Sequence, residues 1–206
     1  MKLDTSAILW SAPERERAGR PLLVLLHGLG SHEGDLFAMS PGLPLGPVIA
    51  SVRAPIAHGG GWSWWPYTGA AGAPDVAGVD DAASAVIDWL DTLEYTSVSL
   101  LGFSQGAALS LQLLRHAPTR FAATVALSGF VAPGEHPGDA ELADVRPPVF
   151  WGRGTEDTVI PDAAVERTAE WLPGHADATI RIYENLGHSI STQELGDFTG
   201  FLREHA

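Results

Sequence analysis

One serine lies between two glycines in a pattern that suits nucleophilic catalysis. The segment Gly102-Phe103-Ser104-Gln105-Gly106 follows an apolar run over 98–101 and precedes an Ala- and Leu-rich helical pattern over 105–116. A serine hydroxyl becomes a useful nucleophile only when it is exposed, has a base beside it and faces hydrogen-bond donors for an oxyanion. A sharp turn from strand to helix, flanked by glycines, supplies that exposure. The pattern therefore predicts Ser104 as a nucleophile.

Such a serine needs an acid and then a histidine further along the chain. The acid is expected just past a later strand, and Asp157 follows the apolar run over 149–151. Its rivals are Glu156, which we expect to be solvated, and Asp162. Asp162 is expected in the first turn of the next helix, where a negative charge interacts favourably with the helix dipole. We therefore predict Asp157 as the acid.

The histidine is expected in the loop after the last strand. His188 is the only histidine between the last strand-like run, 179–183, and the final helical pattern, 191–204. His175 precedes that strand, which would place it at the opposite end of the sheet, and His205 lies in the terminal tail. We therefore predict His188 as the general base.

The loop after the first central strand is a candidate for stabilising an oxyanion. The run 22–26 is followed by His27-Gly28-Leu29-Gly30-Ser31. Its glycines let the backbone turn beneath a substrate carbonyl, so we predict that the backbone N–H groups of Leu29 and Gln105 bind the oxyanion. A dinucleotide-binding fingerprint is the alternative, and its spacing is wrong because the third glycine would stand where the chain has Glu33.

The composition excludes several classes of function. The chain has 12 basic and 25 acidic residues, a net charge of −13, so its surface would repel nucleic acid and disfavour stable association with anionic membranes. Lys2 is the only lysine, which excludes a Walker A loop. Cysteine is absent, which excludes thiolate metal sites and a cysteine nucleophile. The acids Asp75, Asp80 and Asp81 are interpreted as helix-start charges, so we predict no metal site and no cofactor.

Strand-like and helix-like segments alternate along the chain. Six short apolar runs and a weaker edge segment, 7–10, alternate with helical patterns. This order predicts an α/β fold in which helices cover both faces of a mostly parallel sheet. With 206 residues, the chain is expected to form one domain over 1–206. The stretches 54–74 and 131–148 are interpreted as a long surface loop and an irregular segment, the latter too short for a separate lid domain.

Aromatic residues cluster in the long loop. Trp62 and Trp64 would share one side of an extended segment, and apolar pockets favour aromatic walls. We therefore predict Trp62 and Trp64 as substrate-binding residues. The alternative is that these rings, with Trp65 and Tyr67, pack the loop onto the body of the protein.

Several motifs together resemble a known family, in the same order along nearly the whole chain, roughly 20–204. The motifs are His27-Gly28-Leu29-Gly30, Arg53-Ala54-Pro55 before Gly59-Gly60-Gly61-Trp62, Gly102-Phe103-Ser104-Gln105-Gly106, Gly154-Thr155-Glu156-Asp157-Thr158-Val159-Ile160-Pro161 and Gly187-His188. They are similar to the phospholipase/carboxylesterase family of α/β-hydrolases, small lid-less enzymes that include acyl-protein thioesterases. The resemblance implies Ser104, Asp157 and His188 as nucleophile, acid and base. It also implies Leu29 and Gln105 as oxyanion donors, and no cofactor.

These observations predict a carboxylesterase-type serine hydrolase that acts on small-molecule esters with short to medium acyl chains. A lysophospholipase or an acyl thioesterase is the alternative within the class. A ligand-binding receptor with slow turnover is the alternative from another class. The N-terminus has no signal-peptide pattern and no apolar run approaches the ~20 residues of a membrane span, so we expect a cytoplasmic protein. The oligomeric state, monomer or homodimer, stays open.

Overall fold

The computed structural model describes residues 1–206, with nine strands and six α-helices. The strands are β1 (Leu9–Trp10), β2 (Arg20–Leu26), β3 (Val48–Val52), β4 (Ile56–His58), β5 (Gly61–Ser63), β6 (Tyr95–Phe103), β7 (Phe121–Leu127), β8 (Pro148–Gly154) and β9 (Asp177–Tyr183). The helices are α1 (Gly34–Phe37), α2 (Val76–Leu90), α3 (Gln105–His116), α4 (Asp139–Val145), α5 (Asp162–His175) and α6 (Thr192–His205). The six predicted runs and the edge segment all contain strands.

Seven strands form one sheet in the order β1-β3-β2-β6-β7-β8-β9. Every neighbouring pair is parallel except β1 and β3, which are antiparallel. The carboxyl ends of the parallel strands meet at one edge of a sheet, so the loops that follow β2, β6, β8 and β9 lie on the same side. Those loops carry the residues singled out in the sequence.

The central strand β2 shows why the sheet is covered on both faces. Leu22, Val24 and Leu26 belong to one apolar cluster, together with residues of α2, α3 and α5. Leu23 and Leu25 belong to a second cluster, together with residues of α1 and α6. Successive side chains of a strand point to opposite faces, so a continuous apolar run requires helices on both sides. The predicted α/β fold with a mostly parallel, doubly covered sheet is confirmed.

Two segments interpreted as irregular contain regular structure. Within 54–74, β4 and β5 form an antiparallel hairpin, and its turn consists of Gly59 and Gly60 with φ of 59° and 88°. A two-residue turn with positive φ at both positions matches the right-handed twist of the flanking strands, and glycine adopts it without strain. Within 131–148, the chain forms the seven-residue helix α4.

Two helix ends depart from the usual pattern. Helix α5 continues through Pro173 to His175. The His175 imidazole stacks on the Trp171 ring, and its Nδ1 lies 2.7 Å from the Trp171 carbonyl oxygen. That contact supports the last turn beyond the proline. Asp75 stands at the N-cap of α2, but its side chain makes no capping hydrogen bond. None of the helices combines the length and the apolar character that crossing a bilayer requires.

Candidate active site

Ser104 lies at the turn between β6 and α3 in a strained backbone conformation, with φ of 54° and ψ of −116°. Such a conformation costs a non-glycine residue about 1–3 kcal/mol, and strain of this kind concentrates at functional sites. The Ser104 N–H donates to the Leu127 carbonyl at 2.8 Å. A Cβ on Gly102 would lie 2.2 Å from the Gly106 oxygen, and one on Gly106 would lie 1.9 Å from the Leu26 oxygen. Only glycine therefore fits on either side of this turn.

A hydrogen-bonded line runs from the serine to the predicted acid. Ser104 Oγ lies 2.9 Å from His188 Nε2, and His188 Nδ1 lies 2.7 Å from Asp157 Oδ2. The other Asp157 oxygen accepts the N–H groups of Val159 and Ile160 at 2.9 and 3.2 Å. The Asp157 side chain is 5% exposed and that of His188 is 17% exposed. The carboxylate is thus fixed on the imidazole Nδ1–H, and the Nε2 lone pair faces the hydroxyl.

The rival residues lie elsewhere. Glu156 is exposed, and Asp162 is exposed at the first position of α5. His175 is bonded to its own helix, and His205 lies beside Glu204 near the chain's end. Neither rival acid is hydrogen-bonded to the His188 ring, whose Nδ1 faces Asp157, so the geometry favours the residues predicted from chain order.

A cavity of about 200 Å³ opens beside this line. Ser104 and His188 lie on its wall, as do the predicted oxyanion donors Leu29 and Gln105. The Leu29 N–H donates to no acceptor within the protein. Gln105 is the first residue of α3, and N–H groups in the first turn of a helix have no partner inside the helix. Two free donors are therefore available close to the serine hydroxyl.

The Gln105 side chain has a role that the sequence did not indicate. Its Oε1 accepts the Trp64 N–H at 2.9 Å. Its Nε2 donates to Ser63 Oγ at 3.2 Å and to the Trp65 carbonyl at 3.3 Å. The Trp64 indole in turn donates to the His27 carbonyl at 2.8 Å. This buried network connects the serine turn, the end of β5 and the loop that carries Leu29.

The His27 ring is completely buried against Trp64. Its Nε2 accepts the Ala54 N–H at 3.1 Å, so the neutral ring carries its proton on Nδ1. Burial lowers the pKa of His27, which keeps the ring neutral. Nδ1 lies 2.8 Å from the Gly28 carbonyl oxygen, to which it donates.

The structure places the predicted substrate-binding residues Trp62 and Trp64 against other parts of the protein. Trp64 is fully buried, and its indole is bonded to the protein backbone. Trp62 packs beneath the Arg53 guanidinium, 4.9 Å from the ring centre. Neither residue lines the cavity. The extended strand β5 ends at Ser63, whose hydroxyl donates to the Trp65 carbonyl, so Trp64 lies beyond the segment to which strand alternation applies.

Other apolar residues form the cavity wall. They are Trp65, Tyr67, Ala70, Ala71, Pro74, Phe130, Val159 and Ile160. Trp65 and Tyr67 belong to the aromatic cluster that the sequence singled out, three and five positions after Trp62. Val159 and Ile160 lie two and three positions after the predicted acid, and that proximity was the available signal for them.

The segment after Leu29 is held by an ion pair. The Glu33 carboxylate accepts from Arg53, at 2.7 Å from Nε and through a second bond from the guanidinium. The Arg53 side chain lowers the pKa of Glu33. The Glu33 carbonyl also accepts the Ser51 hydroxyl at 2.6 Å. Glu33 therefore ties this loop to β3.

Comparison with known proteins agrees with the fold. The phospholipase/carboxylesterase family model matches residues 12–206. The chain is 26% identical to acyl-protein thioesterase 1 of Eremothecium gossypii, over 92% of this chain and 89% of that protein. It is 26% identical to the esterase YpfH of Escherichia coli, over 87% and 81% of the two chains.

Solved structures share the fold. The crystal structure of esterase PE8 matches with a TM-score of 0.78 at 28% identity, over 100% of both chains. The Bacillus cereus carboxylesterase matches with a TM-score of 0.80 at 21% identity, over 96% of this chain and 93% of that one. The chain belongs to the phospholipase/carboxylesterase family of α/β-hydrolases and is a carboxylic ester hydrolase.

Proposed function

We propose that the protein is a serine esterase that hydrolyses small-molecule esters of short to medium acyl chain through Ser104, His188 and Asp157. The observation that carries the proposal is the line of contacts from Ser104 Oγ to His188 Nε2, at 2.9 Å, and from His188 Nδ1 to Asp157, at 2.7 Å. That line ends at the wall of an apolar cavity. A nucleophile, a base and an orienting acid in this geometry suit acyl transfer.

Acylation follows from these contacts. Ser104 Oγ attacks the ester carbonyl carbon while its proton passes to His188 Nε2. The carbonyl oxygen becomes an oxyanion that accepts hydrogen bonds from the N–H groups of Leu29 and Gln105. When the tetrahedral intermediate collapses, His188 delivers the proton to the alkoxide oxygen, and the alcohol leaves with the acyl group bound to Ser104. Asp157 holds the imidazole in the required tautomer and stabilises the imidazolium.

Deacylation repeats the sequence with water as the nucleophile. A water molecule gives a proton to His188 Nε2 and attacks the acyl carbon. The second intermediate collapses to a carboxylic acid, and Ser104 Oγ regains the proton from His188. No further group is needed for the atoms and charges to balance.

The cavity supports a preference for short to medium acyl chains. Its volume is about 200 Å³, and most of its lining residues are apolar. Each methylene buried against such a wall gains about 0.8 kcal/mol. The gain ends when the acyl chain outgrows the wall.

A thioester is the second candidate substrate, and the observation that favours it is the name of a relative, acyl-protein thioesterase 1. The same residues can cleave either bond, so a matched pair of butyryl esters, one with oxygen and one with sulfur in the leaving group, distinguishes the two. A lysophospholipid is the third substrate to compare with these two esters.

The experiment that tests the proposal is rapid-mixing kinetics with a chromogenic butyryl ester. We expect an initial burst of about one equivalent of leaving group, or steady turnover without a burst where acylation limits the rate. A burst with no turnover afterwards would favour the slow receptor. No release above the rate in buffer, across the whole ester panel, would contradict the proposal.

A further inference from the structure

Three side chains that are far apart in the sequence converge on the helical surface formed by α2, α3 and the segment before α4. Asp80, His116 and His136 each offer a ligand atom, and these atoms all lie within 4.8 Å of one another. All three side chains are half-buried. None of them lines the cavity that contains Ser104. We infer that Asp80, His116 and His136 form a binding site for a divalent transition metal of the zinc class.

The donor set points to this class of ion. Two imidazoles and one carboxylate are ligands that suit Zn²⁺, Co²⁺ and Ni²⁺, whereas Mg²⁺ and Ca²⁺ prefer oxygen ligands throughout. Three protein ligands leave at least one position for water or for a small anion, as in open zinc sites. Ligand atoms that surround an ion at about 2.1 Å lie about 3–3.5 Å from one another. The present separations therefore need only small adjustments.

The carboxylate ligand is held from behind by a neighbouring residue. Gln112 is completely buried one helical turn before His116, and its Nε2 donates to Asp80 Oδ1 at 2.6 Å. Partners of this kind orient metal ligands and strengthen metal binding. Asp80 Oδ1 also lies 2.8 Å from His116 Nε2. The ligand atoms of Asp80 and His116 therefore already face each other.

The third ligand is held by a buried ion pair. The backbone N–H of His136 donates to Asp139 Oδ2 at 2.9 Å. Asp139 in turn accepts from Arg115 at 2.6 and 2.7 Å, and the Arg115 side chain is only 2% exposed. Arg115 also donates to the carbonyls of Ala132 and Gly134, at 3.1 and 2.7 Å. The segment that carries His136 is thus fixed to α3 independently of any metal.

Two existing contacts have to give way when a cation enters. The bond between Asp80 and His116 is replaced by bonds from each to the metal. Gly138 N–H donates to His136 Nδ1 at 3.1 Å, and metal ligation through either nitrogen of that ring requires this bond to break. The alternative account is that Asp80 and His116 simply join α2 to α3, with the His136 ring packed 4.7 Å away.

The site is expected to act structurally rather than in ester hydrolysis. Its ligands come from α2, from the end of α3 and from the segment before α4, so a bound ion would connect three parts of the chain. A ligand that binds only the folded state raises the melting temperature. The inference does not depend on the proposed esterase mechanism, and its test does not require catalytic turnover.

The test uses the full chain, dialysed against a chelator and then titrated calorimetrically with Zn²⁺. We expect one equivalent to bind, a rise in melting temperature, and a visible d–d absorption band when Co²⁺ replaces Zn²⁺. His116→Gln and His136→Gln should each weaken Zn²⁺ binding by at least ~10-fold and abolish the Co²⁺ band. Asp80→Asn provides a third variant if either histidine variant fails to fold.

The control is His205→Gln, because His205 also lies near a carboxylate, 3.9 Å from Glu204, but without a third ligand. It should bind Zn²⁺ as the wild type does. The inference is overturned if the wild type takes up no Zn²⁺, or if the folded His116 and His136 variants bind Zn²⁺ as tightly as the control.

Discussion

The imidazole of His27 donates from Nδ1 to the carbonyl oxygen of Gly28 at 2.8 Å, and that carbonyl belongs to the same peptide group as the Leu29 N–H. A peptide group is planar, so fixing its oxygen also fixes its N–H. The direction of this bond follows from the Ala54 N–H, which occupies the other ring nitrogen. A buried histidine therefore orients one of the two proposed oxyanion donors without contacting the substrate.

Replacing His27 with phenylalanine should reduce turnover more than substrate binding. The His27→Phe variant keeps a ring in place but leaves the Gly28 carbonyl with only the Ser31 N–H, at 3.2 Å, so the Leu29 peptide is held less firmly. Loss of one oxyanion donor costs about 10²–10³ in kcat. We expect a loss of that order with KM changed only a few-fold, measured with a butyryl ester.

The control for this variant is His175→Phe, because His175 is also hydrogen-bonded to a backbone carbonyl but lies at the end of α5. Its kcat should be unchanged. A folded His27→Phe protein with wild-type kcat would show that the Leu29 peptide needs no such support.

Removing the charge of Asp157 should disable the base while preserving the fold. An asparagine can still accept the N–H groups of Val159 and Ile160, but it no longer favours the required imidazole tautomer. We expect Asp157→Asn to lower kcat by about 10⁴ at neutral pH, with an unchanged circular dichroism spectrum. Glu156→Gln and Asp162→Asn serve as controls with little effect, and a large loss in either control with nearly normal Asp157→Asn would reassign the acid.

The cavity wall should set the acyl-chain preference. We expect kcat/KM to rise from acetyl to butyryl or octanoyl esters, by up to about fourfold per methylene, and then to fall. Tyr67→Ala and Val159→Ala should flatten the rise, since both residues line the cavity. Trp62→Ala should leave it unchanged. Activity that increases steadily up to palmitoyl esters would reveal a longer tunnel than the structure contains.

A buried acid near the start of α6 should make stability depend on pH. Glu194 is fully buried, neither carboxylate oxygen has a partner within the protein, and burial raises its pKa from 4.5 to about 7. Between those values the folded state binds more protons than the unfolded state. The free energy of unfolding should therefore fall by up to ~3 kcal/mol as pH rises from about 4.5 to 7, and it should level off above 7.

Urea unfolding at several pH values, compared between the wild type and Glu194→Gln, isolates this contribution. The variant should show a flatter profile and exceed the wild type in stability at pH 8. Glu170→Gln, at an exposed position of α5, should follow the wild-type profile. Parallel profiles for Glu194→Gln and the wild type would mean that Glu194 does not titrate in this range.

The alternation of short apolar runs with helical patterns was sufficient to predict the sheet, because a strand covered on both faces must be apolar throughout. The order of Ser104, Asp157 and His188 was informative for a similar reason. Each follows a strand, and parallel strands bring their carboxyl ends to one edge. Local spacing and chain order thus contain much of the candidate site.

Contacts between distant segments were not predictable in this way. Trp64 is in the core because its indole has an acceptor on the His27 carbonyl, and nothing near Trp64 in the chain indicates that partner. The Gln105 side chain likewise bonds to residues about forty positions away. Asp80 has the sequence context of a helix-start charge, and only the packing of α2 on α3 brings it to His116.

Intact-protein mass spectrometry with a fluorophosphonate probe tests whether Ser104 is the nucleophile. We expect a mass increase of one probe molecule, located on Ser104 after digestion, and no labelling of Ser104→Ala, whose kcat should fall by ~10⁶. The control is Ser110→Ala, a substitution within α3, which should be labelled and should turn over substrate normally. Absence of a mass increase after prolonged treatment, or labelling that persists in Ser104→Ala, would show that Ser104 is not the nucleophile.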